Sequence, residues 1–178
     1  MGRLDKYNVE LKDLKEQQAE YQWTVDQDFF AVVEGDEVQK GKVEVNLTVS
    51  KASGLYKLNF SVAGTVIVTC DRCLDDMPLE IENSGELKVK LGEDFGDDGD
   101  IVIVPETQGF VNVAWYIYEF IALAIPIKHV HAPGKCNKGM MEKLDELTVG
   151  EDQEGESGQN DTDPRWDDLK NIIENDND

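Results

Sequence analysis

The cysteines and histidines of this chain carry most of the chemistry that its sequence offers, because all five lie in two short stretches. Cys70 and Cys73 form a CxxC motif, and a later stretch carries His129, His131 and Cys136. Two nearby thiolates and a remote imidazole–thiolate pair can supply the four tetrahedral ligands of a zinc ion. We therefore predict a structural zinc site formed by Cys70, Cys73, His131 and Cys136, with His129 as a competing ligand.

Two other interpretations of the cysteines stay open. They could be reduced thiols that never meet, or Cys70 and Cys73 could form a redox dithiol. Redox dithiols usually place the first cysteine at a helix start in a βαβ unit, where its pKa is lowered. Here Cys70 follows an alternating strand, and Asp71 and Asp75 would oppose a thiolate. The sequence therefore favours zinc over redox chemistry.

Strands must position most of these cysteines and histidines. Apolar and polar residues alternate in most of the candidate segments, a period typical of strands with one solvated face. The segments are residues 21–25, 43–50, 55–69, 79–82, 87–91 and 101–104. Strands of this kind, joined by short turns, predict an α+β protein with a curved, mainly antiparallel sheet, arranged as a partial barrel or a sandwich.

Helices are fewer. Residues 26–33 form a candidate short helix, and residues 113–124 form a longer one that Asn112 could cap and Pro126 stops. The longer segment is apolar nearly all round, a pattern that predicts one buried helix.

Charge is the most unusual property of the composition. The chain has a net charge of −21, and residues 145–178 alone hold thirteen Asp or Glu against one Arg and one Lys. Such a chain has no broad basic face for non-specific binding to nucleic acid, which depends on displacing phosphate counterions. Its acidity favours a basic partner, or serves solubility alone.

The same asymmetry predicts the domain organisation. Residues 1–143 would form a single α+β domain, and residues 144–162 an acidic flexible linker. Residues 163–178 would form a short docking helix, because Asp163 and Pro164 are a strong helix start.

The remaining features narrow the class of protein. Residues 1–13 are charged and lack the apolar core of a secretory signal, and three cysteines are a poor disulfide framework, so we predict a cytoplasmic protein. The longest apolar stretch contains Glu119 and Pro126, which predicts no membrane span. The sequence has no Walker loop, nucleophile elbow or dinucleotide fingerprint and gives no reason to predict an enzyme.

Several of these motifs occur in the same order in one known family. The CDRCL run at residues 70–74, Glu119, His131 with Cys136, and the DPRW run at residues 163–166 resemble the YceD-like family (DUF177). These are large ribosomal RNA subunit accumulation proteins, and the acidic tail resembles Bacteroidetes-type members. Many members carry a further cysteine after the position of Cys136. Residues 137–141 have none here, which leaves His131 as the substitute ligand.

The resemblance implies a non-enzymatic role in accumulation or processing of large-subunit ribosomal RNA. Together with the charge, it predicts an assembly factor that contacts a basic ribosomal protein or a pre-ribosomal particle of the large subunit. Candidate partner-binding residues are Arg72, Asp163, Arg165 and Trp166, since Trp and Arg are enriched at interface centres. The terminal helix could equally fold back on its own sheet. Alternatives are a direct RNA-binding protein, a thiol-redox module and a structural zinc module without a ribosomal link.

Overall fold

A computed structural model describes residues 2–12, 14 and 18–148, and every structural statement below concerns these residues. The chain divides into two compact units, Met1–Asn137 and Lys138–Asp178. The first unit contains the sheets and the two loops that carry the cysteines and histidines. The described part of the second unit is essentially one helix, α3 (Lys138–Leu147), none of whose residues is buried.

The first unit is built mainly from strands. A short 3-10 helix (Asp5–Tyr7) precedes eight strands: β1 (Asn8–Glu10), β2 (Gln18–Val25), β3 (Lys40–Ala52), β4 (Leu55–Thr69), β5 (Asp76–Gly92), β6 (Gly96–Asp98), β7 (Ile101–Pro105) and β8 (Phe110–Asn112). Six of them form an open sheet in the order β2-β3-β4-β5-β7-β6, and β1 pairs with β8 in a second, small sheet. All pairs are antiparallel except β5 with β7. The prediction of an α+β protein with a mainly antiparallel sheet is confirmed.

The long strands β3 and β4 follow the alternation of the sequence. Directly opposed pairs on one face are buried, and these are Val45 with Val62, Leu47 with Phe60 and Val49 with Leu58. Such cross-strand apolar pairs stabilise a sheet and fix its register. The two strands join through a two-residue turn in which Ser53 and Gly54 both have positive φ, as tight hairpins require.

One long strand, β5, replaces the two short strands predicted at residues 79–82 and 87–91. The polar residues between those segments, which suggest a break, lie where a helix packs on the strand. A Cβ atom on Gly85 would lie 2.0 Å from the ring of Phe120, and the Asn83 side chain donates to the Phe120 carbonyl at 2.8 Å. Gly85 therefore makes room for the helix without ending the strand.

Two helices of the first unit, α1 (Gln27–Val33) and α2 (Ala114–Ala122), agree with the predicted segments. The Asp26 carboxylate accepts a hydrogen bond from the Asp28 amide at 3.2 Å, which caps α1. At the start of α2, the Asn112 side chain accepts one from the Ala114 amide at 3.1 Å.

The helix α2 buries one side instead of its whole circumference. Its buried residues are Ala114, Ile117, Tyr118 and Ile121, whereas Trp115 is 51% exposed. It packs on β4 and β5, and α1 packs on β2 and β3. The core therefore lies between these helices and the sheet.

The predicted linker and terminal helix are mostly untested. The helix α3 runs past residue 143, the predicted end of the domain. Residues 149–178, which include the predicted docking helix, lie outside the described residues. The helices of the described part are all too short or too polar to span a membrane.

Candidate metal centre

The tight connection between β4 and β5 carries the first two candidate ligands. Cys70 directly follows β4, and its amide donates to the Asp75 carbonyl at 2.9 Å. The Leu74 amide donates back to the Cys70 carbonyl at 2.9 Å. These bonds close a compact loop, the CxxC loop (residues 70–75), in which Leu74 has a φ of +62°.

The loop that follows α2 carries the other two, His131 and Cys136, and we call residues 123–137 the HxC loop. Asp71 joins it to the CxxC loop, because its amide donates to the His129 carbonyl at 3.0 Å and its carboxylate accepts from the His129 amide at 2.6 Å. The Asp75 carboxylate accepts from the Asn137 side chain at 3.1 Å. Both aspartates, expected from the sequence only to oppose a thiolate, thus join the two loops, a role that no local pattern indicates.

The two loops bring the four predicted ligands together. One potential ligand atom from each of Cys70, Cys73, His131 and Cys136 lies within 4.8 Å of the other three. The Cys73 Sγ is 3.3 Å from the His131 Nδ1. Two sulfur atoms bound to the same tetrahedral zinc lie about 3.8 Å apart, so the cluster already has nearly the required size.

The second histidine, His129, is occupied elsewhere. Its Nδ1 lies 3.0 Å from the Pro126 carbonyl, and its Nε2 lies 3.6 Å from the Asp71 carboxylate. The structure therefore selects His131 as the imidazole of the set. His129 instead helps to hold the two loops together.

Burial and hydrogen bonding suit Cys70 to metal ligation. Its side chain is fully buried, and its Sγ accepts from the amides of Arg72 at 3.5 Å and His131 at 3.4 Å. Burial alone would raise the pKa of this thiol, but backbone N–H groups, including that of Cys73, lower it to about 6. A redox dithiol would show a lowered pKa as well, so the presence of His131 and Cys136 in the same cluster is what favours metal ligation.

The third thiol shows how a cation would stabilise this set. Burial raises the pKa of Cys136 to about 11, and the neighbouring thiols Cys73 and Cys70 add to the effect. Three thiolates at this distance repel one another, and a bound divalent ion reverses that repulsion. The residues present therefore fit zinc, which prefers thiolate and imidazole ligands in a closed tetrahedral site.

Only one of the four predicted partner-binding residues lies in the described part of the chain. Arg72 is exposed between the two cysteines of the CxxC loop, and no ion pair holds its side chain within the described part of the chain. Asp163, Arg165 and Trp166 lie outside the described residues and stay predictions.

Comparison with known proteins gives one family. No curated protein and no solved structure matches the chain. The family model described as large ribosomal RNA subunit accumulation protein YceD matches residues 58–173, a span that includes all four clustered ligands. Since this is well over half of the chain, the protein belongs to the YceD family of large ribosomal RNA subunit accumulation proteins.

Proposed function

We propose that this protein is a non-enzymatic, cytoplasmic assembly factor that supports accumulation or processing of large-subunit ribosomal RNA. The family match over residues 58–173 is the observation that carries this proposal. The three free cysteines suit a reducing compartment.

A basic protein is the partner that the charge favours. The chain has a net charge of −21, which attracts Lys- and Arg-rich proteins and repels a phosphate backbone. In this role the protein would shield a basic ribosomal protein, or a pre-ribosomal particle that carries one, before assembly is complete.

We also infer that Cys70, Cys73, His131 and Cys136 bind a structural zinc ion. The support is the compact Cys3His cluster and the mutual repulsion of its thiolates. Zinc supplies no reaction in such a site, because all four ligand positions belong to the protein. Its binding energy would stabilise the packing of the HxC loop against the CxxC loop.

Direct RNA binding is the second candidate function, and one observation favours it. Arg72, Lys128 and Lys135 are exposed on the two ligand loops and form no ion pair within the described part of the chain. A steep fall of RNA affinity with salt would support this alternative, whereas a protein partner requires no RNA affinity of the isolated chain.

Depletion of the protein in its host tests the main proposal. We expect large-subunit ribosomal RNA to fall relative to small-subunit RNA, and the protein to co-sediment with large-subunit precursors in a density gradient. Re-expression of the wild-type chain should restore the ratio. An unchanged ratio, with the protein confined to the top of the gradient, would contradict the proposal.

A further inference from the structure

An open groove at the end of β4 lies beside the metal centre and shares Cys70, Asp71 and His129 with it. We call it the β4-end groove. It has a volume of about 330 Å³, its apolar lining includes Val68, Leu74 and Ile125, and Asp36, Glu37 and Asp71 add carboxylates. A neighbouring hollow of about 160 Å³ shares Asp36, Glu37 and Val68 with it and extends it along the sheet. Both lie within the first unit of the chain.

Exposed apolar side chains are concentrated on the two ligand loops, and that of Leu74 lines the groove. Six large apolar residues of the described part are mostly exposed, and three of them, Leu74, Leu123 and Ile127, belong to the two ligand loops. Apolar groups concentrated in this way mark interaction sites more often than isolated ones do.

Leu74 is the most informative of the three. It is 65% exposed and has a φ of +62°, a conformation that is unfavourable for a residue with a Cβ atom and natural for glycine. The fold gains little from this leucine, because most of its side chain is in solvent. An exposed apolar residue kept in a strained conformation is the kind of feature that binding sites show.

Negative charge lines the other side of the groove. The side chains of Asp36 and Glu37 form no ion pair within the described residues. The one ion pair in the adjoining hollow, between Lys40 and Asp76, is 3.7 Å long and exposed to solvent. An apolar floor beside unpaired carboxylates complements a segment that carries both aliphatic and cationic side chains.

The acidic side of the groove is held in place by α2. The Tyr118 hydroxyl accepts from the amides of Glu37 at 2.9 Å and Val38 at 3.2 Å. A Cβ atom on Gly35 would lie 2.0 Å from the Tyr118 ring. The segment after α1 that carries Asp36 and Glu37, which we call the acidic loop, therefore contacts the helix directly. The opposite side is held by the CxxC loop, because Cys70 also lines the groove. A groove that is ordered before binding loses less entropy when a partner docks.

We propose that the β4-end groove binds a segment of a partner protein in which Lys or Arg residues alternate with aliphatic residues. This inference rests on the proposed function, since it names the surface that the basic partner contacts. RNA is disfavoured, because its phosphates would face Asp36, Glu37 and Asp71. A second copy of this chain is disfavoured by its net charge of −21.

The test measures binding of a synthetic peptide of alternating Lys and Leu to the full chain loaded with zinc, by titration calorimetry. Leu74→Gly should weaken binding by about tenfold, since it removes one aliphatic anchor, and should not lower the melting temperature. Phe95→Gly is the matched control, because Phe95 is 66% exposed and lies outside the groove. It should bind like the wild type.

A second pair of variants tests the carboxylates. The double change Asp36→Asn and Glu37→Gln should weaken binding by about tenfold and reduce its dependence on salt. Asp97→Asn with Asp98→Asn removes the same charge from the exposed strand β6 and should leave binding nearly unchanged. A peptide with Ser in place of Leu should bind weakly to every chain.

The outcomes separate this inference from the proposed function. The groove proposal is wrong if both groove variants bind the peptide as the wild type does. It is also wrong if both controls lose as much binding as the groove variants, or if the wild type does not bind the peptide. The same holds if a single-stranded RNA binds and Leu74→Gly abolishes that binding. The depletion experiment is independent of these results and alone decides the proposed function. If both proposals hold, the Leu74→Gly chain should keep its zinc yet fail to restore large-subunit RNA in depleted cells.

Discussion

The central strands and the two ligand loops of this protein are held together by different interactions. The strand β4 pairs with β5 along its whole length and with β3 over residues 55–67, and apolar side chains cover one face of these strands. The CxxC loop and the HxC loop are joined by a few hydrogen bonds, in which the Asp71 amide donates and the carboxylates of Asp71 and Asp75 accept. Three thiols and an imidazole lie between the loops. The sheet therefore buries apolar surface, whereas the two loops meet at a cluster that could bind a metal ion.

Loss of a ligand should separate the two regions most clearly. We expect Cys136→Ser to lower zinc affinity by more than about a hundredfold, because even outer partners of metal ligands contribute up to that much. Amide exchange should then speed up in residues 126–136 and stay slow in β3, β4 and β5. The measurements are zinc content by elemental analysis and hydrogen exchange by mass spectrometry.

His129→Gln is the matched control for that experiment, since His129 lies next to the cluster without belonging to it. It should retain one zinc per chain. The zinc proposal is wrong if the wild-type protein contains no zinc, its cysteines are alkylated in the folded state, and the amides of both loops are nevertheless protected from hydrogen exchange.

Overfilling the contact between α2 and β5 should affect the other region. We expect Gly85→Ala to lower the free energy of unfolding by about 2 kcal/mol, because the new methyl group would overlap the Phe120 ring. Denaturant unfolding measures this change. Gly96→Ala is the control, because no atom lies within 4 Å of a Cβ at that position.

The folded Gly85→Ala variant should still bind zinc as the wild type does, since the contact between Gly85 and Phe120 lies outside the ligand loops. Equal stability of Gly85→Ala and Gly96→Ala would show that the helix packs on the strand in another way.

Asp71→Ala tests the link between the two loops. We expect zinc affinity to fall by about tenfold, because the change removes the side-chain acceptor of the His129 amide and leaves the four ligands in place. Competition with a chromophoric chelator measures the affinity. Asp94→Ala, in the acidic stretch before β6, removes the same charge elsewhere and should have no effect on zinc.

The smallest effect is expected at the acidic side of the β4-end groove. Tyr118→Phe leaves the amides of Glu37 and Val38 without their acceptor and should lower the free energy of unfolding by about 1 kcal/mol. Thermal unfolding measures this. Tyr116→Phe is the control on the same helix, and a larger loss in that control would show that the hydroxyl of Tyr118 is not the important acceptor.

The sequence predicts the sheet well where one period runs without interruption. Val43 to Val49 and Leu58 to Val62 alternate cleanly, and the structure has them as β3 and β4. The break predicted between residues 82 and 87 is wrong, because Asn83 and Gly85 serve the packing of α2 and not a turn. That contact joins segments far apart in the chain, and no local pattern encodes it.

The candidate site likewise depends partly on local sequence and partly on contacts between distant segments. Residue type and spacing are enough to single out Cys70, Cys73 and Cys136, whereas the choice of His131 over His129 is settled by the contacts of His129 in the folded chain. The roles of Asp71 and Asp75 depend on which loop they face, which only the folded chain determines. The β4-end groove could not be predicted, since it depends on the conformation of Leu74 and on the Tyr118 contact with the acidic loop.

The left-handed backbone at Leu74 has an evolutionary consequence. Selection for folding alone would let this position drift to glycine or asparagine, which adopt that conformation at less cost. Homologues that bind the same kind of partner should therefore retain an aliphatic residue here, and lineages that have lost the partner should not. A survey of this single position across species would reveal that history before any complex is isolated.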